Sequence, residues 1–261
     1  MNSASDIDSD RVALYNRVLH SAYSASWGGE AMAERAAVRE EPIRLFRSDF
    51  LEFFSHISPL MVAVLWTPVV VFFIVRAIVV AGPDWPVVVP AGVFSGWFVW
   101  TFAEYMLHRF VFHYHPKTER LKRVFFMMHG VHHAQPMCMT RLVMPPALSI
   151  PVGVLFYGLF HLLFVDGLAA PQWFNPVFGG FVGGYLVYDM LHYSIHHSSA
   201  RSGIFFAIRK HHLRHHGPCS FMRFGVTFSL WDHVFGTMPQ APCQELLRNR
   251  PEEDWSPPVK P

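Results

Sequence analysis

Ten histidines in four clusters carry the chemistry open to this chain: His108 and His113 in HRFVFH, His129, His132 and His133 in HGVHH, His192 and His196 in HYSIH, and His212, His215 and His216 in HLRHH. Neutral imidazole suits iron, zinc, copper or nickel. A metal takes roughly four to six ligands, so ten imidazoles fit two ions better than one. Positions three and four apart share a helix face, so each of the last three clusters can aim two or three rings at one point. His108 and His113 are five apart, about 140° around a helix, and must approach from flanking directions or distort the helix locally. A single cluster of this kind reads as surface chemistry; four of them, at the ends of apolar segments, read as a binuclear metal site.

Metal-bound imidazoles usually donate their second N–H to a carboxylate or carbonyl. Glu104 precedes His108 by one helical turn, Asp189 precedes His192 likewise, and Asp232 sits in the turn SLWDHVFG, so these three are candidate partners. Among the other histidines, His20, His56, His115 and His161 read as structural or surface residues. His197 and His211 abut clusters and are alternative ligands by position, but they lie out of step with the spacing, and His233 divides evenly between packing and a supporting role.

The elements that position these residues are apolar. Of 261 residues, 52% are hydrophobic and only 15% charged, and mean hydropathy is +0.24, which is unlike a soluble domain. The sequence predicts an all-α integral membrane protein with four transmembrane helices in two hairpins, over residues 57–81, 86–113, 147–165 and 173–196, whose long polar segments cap one face of the membrane. Each predicted helix can cross a hydrocarbon core of about 30 Å. The second overshoots by about two turns, which carry His108 and His113 out of the bilayer. In the fourth, Gly179, Gly180, Gly183 and Gly184 form two interleaved small-xxx-small pairs suited to close helix contact.

Residues 1–55 form a cytosolic N-terminal segment in which Arg35 to Glu41 reads as a solvated helix, 56–240 the membrane domain with its cap, and 241–261 a flexible tail. The connectors GPDWP and DGLAAPQ hold one aspartate each and no base, whereas residues 114–145 carry Lys117, Arg120, Lys122, Arg123 and Arg141 against a single acid, Glu119. The positive-inside rule then places the long segments, and the metal site, on the cytoplasmic face. The polar, acidic N-terminus does not read as a signal peptide. A net charge of +2 argues against nucleic-acid binding. Cys138, Cys219 and Cys243 form no Cys-x-x-Cys pair and read as reduced thiols rather than a disulfide framework.

The segments EYMLHRFVFH, MHGVHH with TRLVMPP, GYLVYDMLHYSIHH, and KHHLRHHG with FGVTFSLWDHVFGT together resemble the fatty acid hydroxylase superfamily, nearest to its fatty acid 2-hydroxylases. The likeness covers roughly residues 95–240. It implies four transmembrane helices capped by a cytosolic helical domain, two metals held by His108, His113, His129, His132, His133, His192, His196, His212, His215 and His216, a membrane lipid as substrate, and hydroxylation at carbon 2 of a fatty acyl chain. Members of the family commonly carry a haem domain of the cytochrome-b type; residues 1–55 hold no matching motif, so the electrons are expected from a separate cytochrome-b-type protein or a ferredoxin with its reductase.

Hydroxylating an unactivated C–H bond lies beyond acid–base side chains, so the metal must carry the reaction. Two iron ions with dioxygen as co-substrate meet that need. Zinc can occupy such a site on purification, but it has no redox chemistry. Sterol or carotenoid oxidation by the same superfamily is the nearest alternative. A non-enzymatic zinc-binding or transport protein is a more remote one, because an ion path needs polar groups in mid-membrane, where only Arg76 and His161 stand. Oligomeric state and acyl carrier have no signature in the sequence.

Overall fold

The computed structural model describes residues 42–217, 219–241 and 243–247. The helix expected over Arg35 to Glu41 and the tail PEEDWSPPVKP lie outside them. The described elements are helical, in the order α1 Asp49–Phe54, α2 Pro59–Ala81, α3 Trp85–Met106, α4 Glu119–Phe125, α5 Val131–Ala134, α6 Pro146–His161, α7 Pro171–His197, α8 Gly203–His215, α9 Leu230–Val234 and α10 Cys243–Leu247. Three π-helical turns interrupt this pattern. Leu107–Phe112 extends α3, Phe126–Gly130 joins α4 to α5, and Leu162–Gly167 extends α6.

The chain divides into two units. One contains His56–Glu104 and Val143–Leu191; the other contains the described parts of Met1–Ser55, Tyr105–Leu142 and His192–Pro261.

The first of these holds the apolar helices. Two stretches, Pro59–Phe112 and Pro146–Gly167, are long and apolar enough to cross a membrane. Along α2, Leu60, Val64, Phe72 and Val79 are each more than half exposed, a surface that fits lipid and not water. Proline starts α2 at its first position, where a missing N–H costs nothing, and the Ser58 hydroxyl accepts from Met61 N–H at 3.2 Å. Gly82, at φ +54°, ends the helix.

Within the same unit the glycine pairs act on different neighbours. A Cβ on Gly180 would lie 2.2 Å from the Val93 carbonyl oxygen, and one on Gly96 1.9 Å from that of Val177, so α3 and α7 touch backbone to backbone. Gly184 admits the Trp100 side chain, while Gly179 faces Phe73 and Ile74 of α2. Trp100 packs edge-on against Phe181 and Tyr185, filling the space the glycines leave.

In the other unit, residues 42–55 form a strap. Ile43 and Leu45 pack on Phe126, Val131 and Ala134. The Ile43 N–H donates to Gln135 Oε1 at 2.7 Å, and Glu52 pairs with the buried Arg141. The strap therefore grips the segment that bears His129, His132 and His133.

The cysteines correct the sequence reading. Cys219 and Cys243 are disulfide-bonded, with Cα atoms 5.9 Å apart, while Cys138 is a buried free thiol. Twenty-four residues separate the pair, and proximity across such an interval has no signature in local spacing. The bridge fixes α10 to the segment that follows HLRHH; residues 243–247 are a short helix at the start of the stretch read as a flexible tail.

Candidate metal centre

All ten histidines lie in the unit that contains Tyr105–Leu142 and His192–Pro261, and they form two groups of five. His108, His113, His129, His133 and His215 make the first; His132, His192, His196, His212 and His216 make the second. In each group one ring nitrogen per residue lies within 4.8 Å of all the others. Eight of the ten are buried, and His133 and His216 are partly so.

Local backbone geometry explains the partition. Between His108 and His113 the helix closes through an i→i+5 bond, His113 N–H to the His108 carbonyl at 3.1 Å. The π-turn brings residues five apart onto one side, which an α-helix cannot do. Elsewhere the rule is i, i+4: His129 with His133 in the first group, and His192 with His196 and His212 with His216 in the second. The middle histidine of each HxxHH box crosses to the other group, His132 to the second and His215 to the first. Each group thus receives one pair from a long helix, one pair from a box, and one ring from the opposite box. Of the two or three rings that a box could aim at one point, each box aims two and sends the third to the other group, because positions i and i+3 diverge by about 60° around a helix.

The ring nitrogens converge closely. In the first group His129 Nε2 lies 3.1 Å from His108 Nε2 and 3.0 Å from His133 Nε2, and His215 Nε2 lies 3.0 Å from His113 Nε2. In the second, His212 Nε2 lies 2.9 Å from His192 Nε2 and 3.0 Å from those of His196 and His216. Two nitrogens bound at right angles to one ion at about 2.1 Å stand about 3.0 Å apart, so these intervals suit shared coordination.

Tautomers strengthen the point. His108 Nδ1 is 2.6 Å from the Phe224 carbonyl and His215 Nδ1 is 2.7 Å from that of Met222. A carbonyl only accepts, so both Nδ1 atoms carry the proton and both Nε2 atoms present lone pairs inward. Lone pairs gathered in a buried space repel unless a cation lies among them. His132 has both ring nitrogens buried with no hydrogen-bond partner, so neither is committed to a protein group and either can ligate.

Burial also keeps the rings neutral. It pushes the imidazoles of His129, His132, His133, His212, His215 and His216 well below the ordinary histidine range, and the neighbouring histidines add to the shift. Neutral imidazole is the ligating form.

Of the three carboxylates, Asp232 lies in the unit that holds the histidines. It is fully buried and accepts from the N–H groups of Phe224 at 2.8 Å and Gly225 at 2.9 Å, the Thr237 hydroxyl at 2.7 Å and His211 Nε2 at 3.0 Å. Burial opposes its ionisation, but hydrogen bonds from His211, Thr237 and Gly225 outweigh it and hold the carboxyl below its usual range. It touches no imidazole of either group directly; it fixes the 224–225 backbone, whose carbonyl orients His108. Behind it, Arg109 donates to Tyr105 and Tyr105 meets Thr237 at 2.9 Å. Glu104 and Asp189 belong to the unit of apolar helices. There Glu104 is buried, and Asp189 accepts from the Met144 N–H and the Tyr185 hydroxyl, each at 3.1 Å.

Sequence reasoning passed over Tyr105 and Thr237, and weighed His211 only as an alternative ligand, not as the partner of Asp232. His211 sits one place before a box and only its bond to Asp232 reveals a role. The Phe224 and Met222 carbonyls carry no residue-type signal. His233 is exposed, and His161, in the unit of apolar helices, meets Asp166 at 3.2 Å.

With this geometry established, comparison with known proteins is informative. The fatty acid hydroxylase family profile matches residues 93–237. A dihydroceramide fatty acyl 2-hydroxylase of Arabidopsis thaliana is 39% identical over 80% of this chain and 86% of its own length. The fatty acid 2-hydroxylase of Rattus norvegicus is 35% identical over 76% of this chain, which spans 57% of that longer protein. Among solved structures, full-length Scs7p, with only its hydroxylase domain visible, superposes with a TM-score of 0.68 at 30% identity, covering 80% of this chain and 94% of that one.

Proposed function

Since this chain belongs to the fatty acid hydroxylase family, we propose that it is a membrane oxygenase that hydroxylates carbon 2 of a fatty acyl chain, free or within a sphingolipid or other lipid. The single observation that carries the metal-dependent part is the convergence of two five-histidine groups whose inward nitrogens lie 2.9–3.1 Å from one another. His108, His113, His129, His133 and His215 would hold one metal, and His132, His192, His196, His212 and His216 the other. Iron bound there supplies what no side chain can, activation of dioxygen for attack on a C–H bond.

The overall reaction balances as one C–H bond, one dioxygen, two electrons and two protons giving one hydroxyl and one water. The electrons come from a separate donor of the cytochrome-b or ferredoxin type. Burial holds the imidazoles of the two HxxHH boxes neutral, and the Phe224 and Met222 carbonyls fix the tautomers of His108 and His215. Asp232 keeps the 224–225 backbone rigid; for Glu104 and Asp189 a supporting role rests on their place one helical turn before His108 and His192.

Four membrane crossings, in two hairpins, with the histidine unit on the cytoplasmic side, agree with the basic residues of segment 114–145 and the bare connectors. A metal site just beyond the hydrocarbon meets an acyl chain near its carbonyl end, where carbon 2 lies. Lipid mass spectrometry of a host expressing the active chain or its His132→Ala variant tests the reading. Hydroxyls at carbon 2 that appear only with the active chain support it; hydroxyls elsewhere, on a sterol, or in equal amount with the variant refute it.

A further inference from the structure

The six-residue helix α1 has two faces of opposite character. At 100° per residue, Phe53, Phe50, Phe54 and Leu51 occupy a continuous arc about 160° wide, and Glu52 projects opposite its centre. The apolar arc is open: Phe50 is 70% exposed, Phe53 73%, Phe54 57% and Leu51 49%. Its rings pack on each other, Phe54 lying 4.9 Å from Phe50 and 5.4 Å from Phe53.

The opposite face is pinned. Glu52 accepts from the N–H groups of Leu45 at 2.9 Å and Phe46 at 2.8 Å and pairs with Arg141, whose side chain is 1% exposed. The helix therefore cannot roll to hide its phenylalanines without stranding a buried guanidinium. A contiguous aromatic patch held outward in this way marks an interaction surface.

Two features identify its occupant. First, only residues 55–58 separate the end of α1 from Pro59, where the apolar helix α2 begins, and such a linker reaches at most about 17 Å. The patch is thus tethered next to a segment whose exposed residues fit lipid. Second, Arg44 and Arg47 are exposed shortly before the helix, Arg44 paired with Asp49, so the chain entering the patch carries two basic side chains of the kind drawn to anionic headgroups.

We propose that α1 lies in the interfacial layer of the bilayer, with Phe50, Phe53 and Phe54 entering the boundary between headgroups and acyl chains. Through the Glu52–Arg141 pair and the Ile43–Gln135 hydrogen bond, this anchor fixes the segment that carries His129, His132 and His133 at the lipid surface. The proposal concerns a surface outside the histidine groups and stands independently of the reaction they perform.

The test uses the full chain in bilayers containing alkyne-tagged phosphatidylcholine and phosphatidylglycerol, with the photoreactive p-benzoylphenylalanine in place of Phe53 and, separately, of Phe50. Both sites are largely exposed, so the substitution leaves packing intact. Reference sites are Phe72, 58% exposed on α2, and Glu119, exposed on α4. The expected result is tagged-lipid adduct at positions 50 and 53 comparable with position 72 and about tenfold above position 119. Lipid labelling no higher than at position 119, a cross-linked dimer, or an adduct mapping to residues 1–41 in place of lipid would each overturn it.

Discussion

Replacing Asp232 by asparagine should release one metal and retain the other. The carboxylate uses Oδ1 for Phe224 N–H and Thr237, and Oδ2 for Gly225 N–H and His211. Asparagine of the same shape can keep the first pair but sets an NH₂ against the second. His211 can change tautomer and accept from it. The Gly225 N–H cannot, so at least one charge-assisted hydrogen bond is lost, about 1.5–3 kcal/mol. That strain falls on the 222–225 backbone, whose carbonyls hold Nδ1 of His108 and of His215. Both rings belong to the first group.

Affinity for that metal should drop about 10- to 100-fold, the usual cost of losing a partner that orients a ligand, while the group built on His212 keeps its metal. The assay is chelator titration of purified protein with metal content read by mass spectrometry. Wild type should lose its two ions over one range, and Asp232→Asn should lose one of them at about 10- to 100-fold lower chelator. The reasoning fails if both ions leave the variant together or if neither is weakened. Gly225→Ala gives an independent check, since its new Cβ would lie 2.9 Å from Asp232 Oδ2 and 2.4 Å from the Phe228 carbonyl oxygen; it should weaken the same ion.

Three further outcomes follow from the geometry. His132→Ala and His133→Ala, adjacent in sequence, should deplete different ions, His132 the second group and His133 the first; identical metal losses would contradict the crossed arrangement. Acid should destabilise the fold: burial lowers the proton affinity of His129, His132, His133, His212, His215 and His216 relative to the unfolded chain. Stability is then full above the unfolded value of about 6.5 and falls as pH drops below it, since the unfolded state alone takes up protons. Thermal melting between pH 8 and pH 5 measures this, and a flat profile would count against it. Gly96→Ala or Gly180→Ala forces a Cβ into a backbone carbonyl and should cost more in melting temperature than Gly183→Ala, whose nearest neighbour lies at 3.8 Å.

The apolar helices and the ten histidines were legible in the sequence because length, hydropathy and i, i+3, i+4 spacing are local properties. The boundaries show it: α2 runs Pro59–Ala81 against an expected 57–81, and α7 Pro171–His197 against 173–196. The five-residue step from His108 to His113 also signalled a distortion, and the π-turn over Leu107–Phe112 is that distortion. What the spacing could not yield was the assignment of rings to groups. In HxxHH the same three residues could serve one ion or two, and the choice depends on which helix packs opposite, a tertiary property. The Cys219–Cys243 bridge and the His211–Asp232 pair were hidden for the same reason.

The crossed boxes give the two groups a common dependence that neither cluster has alone. Residues 129–133 contribute to both, through His129 and His133 on one side and His132 on the other, and residues 212–216 do so in mirror fashion. Neither segment can shift without disturbing both groups. The strap that grips the first segment at Gln135 and Arg141, and the Asp232 carboxylate that orders the backbone beside the second, therefore support a single constellation. A site assembled in this way should load its two ions cooperatively: with two rigid segments each shared, ordering by the first ion removes part of the conformational cost of binding the second. Metal titration of the apoprotein, followed by absorbance in the cobalt-substituted form, should show the second ion binding about fivefold more tightly than the first, a coupling smaller than the loss expected at the first group in Asp232→Asn, so that variant still releases its ions one at a time. A wild-type curve with two independent steps would show that the shared segments are already rigid before metal binds.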